Sequence, residues 1–156
     1  MRLHSLYTCA KLSGEYSVLL KKRALSALKW AERAFNEGDY DVAAREAEYA
    51  VQLYIKSLIY RVLGEEVRGH NLRELLGILV SSLIEENFRK EAEELIDYIR
   101  KHRRELAELS EARTRATYGL IEYNRDGALI LLRIARNVIN MLRNLEARVF
   151  GEKIQK

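Results

Sequence analysis

GDYDVAAREAEYAVQLYIKSLIYRVLGEEVRGHNLRELL, residues Gly38 to Leu76, holds a helix start, a whole helix, its stop signal and the capped start of another. Gly38 can take the left-handed backbone that closes a preceding helix, and the Asp39 carboxylate can accept from the free N–H groups of the next one. From Ala43 the apolar residues Ala43, Ala47, Ala50, Tyr54 and Leu58 recur at spacings of three and four, and Val51, Ile55 and Val62 widen the band. Only Arg45, Glu48, Gln52 and Lys56 make a continuous polar stripe. A helix with so narrow a wet face is expected to be covered on two sides, by its own domain and by a second chain. Gly64 ends it. Asn71, followed three positions later by Glu74, has the form of a capping box with Asn as the cap, and Leu72, Leu75, Leu76 and Leu79 give the following helix its apolar side.

The flanks extend this pattern. A first helix is predicted over Tyr16 to Asn36, with Leu20, Ala24, Ala27, Ala31 and Ala34 inward and Lys21, Lys22 and Arg33 outward. The short third helix ends near Leu83, and Asn87 is positioned to cap a long fourth helix over Phe88 to Thr117. A fifth runs from Arg125 to Phe150 with Ala128, Leu131, Ala135, Val138, Leu142 and Leu145 inward. The expected fold is all-α: one up-and-down bundle of four long helices plus one short helix over residues 15–150, with an N-terminal extension, 1–14, and a tail, 151–156.

Composition agrees with that class. The 156 residues are 48% apolar, enough for one core, and they include no Pro and only eight Gly, which argues against a turn-rich β architecture. A single cysteine, Cys9, excludes an intramolecular disulfide and a Cys-based zinc cluster. No metal-spaced cluster, Gly-rich phosphate loop or Ser-His-Asp set is present, so no metal and no cofactor is expected. No apolar run approaches a membrane span, so the protein is expected to be soluble, cytoplasmic and without a membrane partner. A net charge of +4 would help a polyanion approach without identifying one.

The fourth helix carries an irregularity. From Ala92, the positions Leu95, Ile99, His102, Leu106, Leu109, Arg113, Ala116 and Leu120 step by alternating threes and fours, a coiled-coil spacing with two polar members. An Arg among leucines costs desolvation unless an anion meets it. A neighbouring Glu could supply that anion, or the stem of Arg113 could carry its charge out to water; an anionic ligand is the functional alternative.

Taken in order, AEYAVQLYIKSLIYRVLG (Ala47 to Gly64), GHNLRELL (Gly69 to Leu76), ARTRATYG (Ala112 to Gly119) and the closing amphipathic helix resemble the HEPN domain of small archaeal and bacterial proteins. The usual Gly-His-Asp-Leu step of that family is Gly69-His70-Asn71-Leu72 here. The resemblance spans roughly Glu15 to Phe150. It implies a homodimer, a cleft between protomers and, in some members, a minimal nucleotidyltransferase partner within a toxin–antitoxin-like system.

Ribonucleases of the family carry an Arg followed after four to six residues by a His, and use the pair without metal. An imidazole can take a 2′-hydroxyl proton while a guanidinium meets the phosphate charge that grows in the transition state. None of the three histidines here fits: His4 follows Arg2 too closely, His70 follows Arg68 by two positions and Arg61 by nine, and His102 follows Arg100 by two. At the corresponding place four residues separate Arg113 from Tyr118, and a phenol, with an ordinary pKa of about 10, is a poor base near neutrality. Leu120 stands where toxin-like members carry a nucleotide-accepting Tyr.

The expected function is therefore a non-catalytic module that binds nucleotide, RNA or a partner nucleotidyltransferase. The alternatives are a metal-independent endoribonuclease with an atypical base, drawn from Arg113, Tyr118 and His102, and a purely structural dimeric scaffold. The candidate nucleotide- or RNA-binding residues are Arg113, Arg115, Tyr118, Tyr123 and Arg103. Tyrosines could stack on bases while guanidinium groups meet phosphates, or they could simply pack on the bundle end. His70 and Asn71 are expected to order the turn before the third helix. Arg100, Lys101, Arg103 and Arg104 crowd one turn, and Arg133, Arg136, Asn140 and Arg143 form a stripe that reads as a solvated face.

Overall fold

The computed structural model describes residues 2–151, with side chains from residue 14 onward. His4, Cys9, most of the expected N-terminal extension's side chains and residues 152–156 of the tail lie outside that description. Six helices follow one another: α1 (Arg2–Asn36), α2 (Tyr40–Leu63), α3 (Leu72–Glu85), α4 (Arg89–Lys101), α5 (Arg103–Tyr118) and α6 (Arg125–Phe150). No strand occurs among the described residues.

The central helix is α2, which packs on α1, α3, α5 and α6. Its tightest neighbour is α1, and small residues explain why: Ala24, Ala27 and Ala31 of α1 and Ala44, Ala47 and Ala50 of α2 are all buried in the main core. The larger Leu and Ile side chains of α3, α5 and α6 fill the other sides. One chain thus covers most of α2, with Tyr49 left as its one exposed large apolar side chain among the described residues. The middle of the expected wet stripe is turned inward, with Glu48 and Gln52 1% and 2% exposed, while Arg45 and Lys56 at its ends stay part-exposed.

The ends follow local chemistry, with three departures from expectation. Gly64 is left-handed at φ 71° and its N–H closes α2 on the Tyr60 carbonyl. The Asn71 side chain accepts from the N–H groups of Arg73 and Glu74, which makes the cap half of the expected box. Asp39, by contrast, makes no side-chain cap bond, although the Gly38 turn beside it forms. Asn87 does not cap the following helix. It adopts φ 66° and closes α3 instead, with Phe88 N–H bonded back to Leu83 O at 2.8 Å, as in a left-handed helix stop. Gly14 lies within α1 rather than before it; with no proline nearby, one interior glycine costs only about 1 kcal/mol.

The expected fourth helix is two helices that meet at His102 (φ −111°, ψ 23°). The apolar seam survives the break: Ala92 and Leu95 are buried before it, and Leu106, Leu109 and Ala116 after it. The first half packs mainly on α3 and the second mainly on α2, while α3 and α6 touch both. No described helix is long and apolar enough to cross a membrane.

Candidate functional site

Two out-of-place features of the sequence meet inside the bundle. Arg113, from the seam of α5, faces Glu48 of the α2 polar stripe closely enough for its charge to favour the ionised carboxylate. Glu48 is otherwise starved of water. Burial pushes its carboxyl up to about 7, against the opposing pull of Arg113, Gln52 and Lys56. One oxygen accepts from Gln52 Nε2 at 3.1 Å, while the other is buried without a hydrogen-bond partner. Arg113 itself is half-buried and has no ion pair or hydrogen bond among the described residues.

Gln52 connects this carboxylate to the turn before α3. Its amide nitrogen also donates to the His70 carbonyl at 3.2 Å, and its oxygen lies 3.3 Å from His70 Nδ1. Because the Gln52 nitrogen is spent on two acceptors, its oxygen takes the imidazole N–H, so Nδ1 carries the proton. Ser110 of α5 accepts the Leu72 N–H at 3.2 Å, and Arg45 of α2 donates to the Ala116 carbonyl at 3.4 Å. The result is a polar seam between α2 and α5, closed at one end by the α3 turn. A carboxylate lies at its floor, and Arg45, Lys56, Arg113 and His70 lie nearer the surface.

The other candidate residues do not gather at that seam. Arg115 places its guanidinium 5.0 Å from the Tyr123 ring, and the two line a groove of about 330 Å³ with Ile121. Glu108, Glu111 and Glu122 line it as well, an acidic surrounding that repels phosphate. Tyr123 is held by its backbone N–H on Asp41 at 2.9 Å, and burial raises its phenol above the ordinary value. Tyr118 ends α5 and is 81% exposed, about 140° around the helix from Arg113. Arg103 begins α5, roughly 15 Å along the axis from Arg113. His102 stacks 4.2 Å from Tyr98 and pairs with Glu105 at 3.3 Å, remote from Arg113 within one chain.

The turn after α5 inverts the usual order of polarity. Tyr118, Leu120 and Ile121 are all open to solvent, and Leu120 is as exposed as a side chain in an extended peptide. Gly119 fixes this exit, because a Cβ there would lie 2.4 Å from the Arg115 carbonyl oxygen. Asn124 then caps α6 by accepting the Gly127 N–H at 2.7 Å.

A second buried charge cluster was not legible as such. Glu146 of α6, 3% exposed, pairs with Lys21 at 2.5 Å and Arg61 at 3.6 Å, beside the buried Tyr54 phenol whose pKa is driven up by burial and by that carboxylate. Lys21 is thus not simply outward. Three members of the α6 stripe are solvated as expected, Arg133, Arg136 and Asn140, with Arg136 paired with Glu32; Arg143 is part-buried instead and acts on the buried Tyr54 phenol. Glu48, expected on the wet face of α2, is buried instead, and the narrowness of that polar stripe on an otherwise apolar helix is the available signal. Among the described residues no group of three or more His, Cys, Asp or Glu side chains could hold a metal.

The model of the HEPN domain family matches residues 17–145, most of the chain. No curated protein and no solved structure matches it.

Proposed function

This chain belongs to the HEPN domain family, and from that premise we propose that it is a non-catalytic member that binds the phosphate of a nucleotide or RNA on the α2–α5 seam, as a homodimer. The observation that carries the reading is the half-buried guanidinium of Arg113, which acts on the buried Glu48 without an ion pair or hydrogen bond among the described residues, at the place that matches the phosphate-binding arginine of the family's ribonucleases. Lys56, which acts on Glu48, and Arg45, which bonds the Ala116 carbonyl of α5, add positive charge along the same seam and favour the approach of an anion. The chemical half of the motif is missing. Tyr118 replaces the imidazole and turns away from Arg113, which leaves binding without a base.

The exposed Tyr118, Leu120 and Ile121 supply an apolar surface for a second copy beside this seam. Of the sequence candidates, Arg113 is central to this reading and Tyr118 belongs to the dimer surface. Arg115 and Tyr123 support the end of the bundle, and His70 with Asn71 orders the turn.

A fluorescent single-stranded RNA titrated with the protein in EDTA tests this. Saturable binding that weakens with salt and falls about tenfold in Arg113→Ala, with intact RNA on a gel, is expected. Cleavage abolished by Arg113→Ala would establish a ribonuclease instead, and absence of binding to RNA or nucleotides would leave the structural scaffold.

A further inference from the structure

The surface between α3 and α4 contains a groove of about 560 Å³, whose lining does not include Arg113, Glu48 or Gln52. Its floor is apolar, made by the partly buried Val80, Ile96 and Ile99 around Gly77. Its rim carries Arg73, Arg100 and Arg103, all exposed, against a single carboxylate, Glu74. None of the three guanidinium groups has an ion pair or hydrogen bond among the described residues.

Gly77 is the feature the fold itself does not explain. It sits in the interior of α3 with no positive φ, and a Cβ there would meet nothing within 4 Å. Glycine at such a position costs about 1 kcal/mol relative to alanine, and no internal contact requires it. Its missing side chain leaves room for something outside the chain to approach the backbone of α3.

We propose that this groove binds an amphipathic, acidic helix of a partner protein. Two antiparallel helices leave a furrow that a third can fill, with apolar residues at spacings of three and four on Val80, Ile96 and Ile99, and flanking carboxylates on the arginines. Gly77 lets that helix lie close. Bare phosphate fits less well, because the N–H groups opening α3 are already taken: Arg73 and Glu74 donate to Asn71, and Leu72 donates to Ser110. Single-stranded nucleic acid finds no aromatic ring on the groove to stack on.

A labelled synthetic helix of about 20 residues, with leucines on one face and glutamates flanking them, provides the probe. Fluorescence anisotropy against the full chain should give saturable binding, weaker by about tenfold or more for a scrambled peptide of equal composition. Charge reversal in Arg100→Glu/Arg103→Glu, and separately Gly77→Leu, should each weaken it by a similar factor without lowering the thermal midpoint. Gly77→Ala should raise that midpoint. Equal binding of the scrambled peptide, displacement by single-stranded RNA, absence of binding, or undiminished binding in both variants would overturn the proposal.

Discussion

The α2 stripe and the turn after α5 break the same rule in opposite directions. At Glu48 a carboxylate is 1% exposed, and at Leu120 a leucine is wholly so. Between them runs α5, whose Arg113 faces the buried acid and whose last residues lead to the bare apolar tip. A bundle optimised only for its own stability would exchange the two. The inner anomaly sets a guanidinium within electrostatic reach of a buried carboxylate, the outer one leaves apolar side chains open to solvent, and α5 connects the two.

Reversing the inner charge should have the largest effect. Glu48→Lys would set a buried ammonium opposite Arg113, and thermal unfolding should show a loss of about 4 kcal/mol, the scale of an uncompensated buried charge. An unchanged midpoint would mean that the two side chains do not share a closed environment. The same carboxylate sets a pH dependence. Its folded-state pKa of about 7 lies above the ordinary 4.5, so the folded chain binds the extra proton. Stability is therefore fully present below about pH 4.5 and is lost as pH rises through about 7, by about 3 kcal/mol in total. Urea titrations from pH 5 to pH 8 should show this fall, and Glu48→Gln should flatten it.

The tip should respond more weakly in stability and more strongly in assembly. Gly119→Ala forces its new methyl group against the Arg115 carbonyl and should cost roughly 2 kcal/mol, read as a lower midpoint in a thermal melt. Asn71→Ala, which removes the cap of α3, should cost about 1 kcal/mol in the same assay. Leu120→Glu should change monomer stability by no more than about 0.5 kcal/mol, yet sedimentation should find the protein monomeric where the parent chain is a dimer. A parent chain that is already monomeric at micromolar concentration would remove the assembly role from the tip.

Much of this was legible from residue spacing, because spacing records which face of each helix is dry. Gly38 and Gly64 marked left-handed stops, Asn71 marked a cap, and the inward residues of α1 and α6 were read correctly. Local sequence could not reveal which neighbour each helix meets. The seam of α4 and α5 is continuous in sequence, yet the helix breaks at His102, where the main packing partner changes from α3 to α2, and no Gly or Pro announces that. Asn87 suits a cap and a left-handed stop equally, because Asn serves either end of a helix, and only the chain path selects the stop. The candidate site suffered most. Arg113 in an apolar seam and a thin polar stripe on α2 were both visible, but their meeting depends on packing across the bundle. Arg103, Arg115 and Tyr123 shared a charge type or a ring with the site but not its location.

The most direct test is the titration of the Glu48 carboxyl by carbon-detected NMR, with and without single-stranded RNA. An apparent pKa near 7 in the free protein, moving upward when RNA phosphate draws on the Arg113 guanidinium, is the predicted result. A value near the ordinary 4.5 that RNA leaves unmoved would contradict both the burial of Glu48 beside Arg113 and the site built on it.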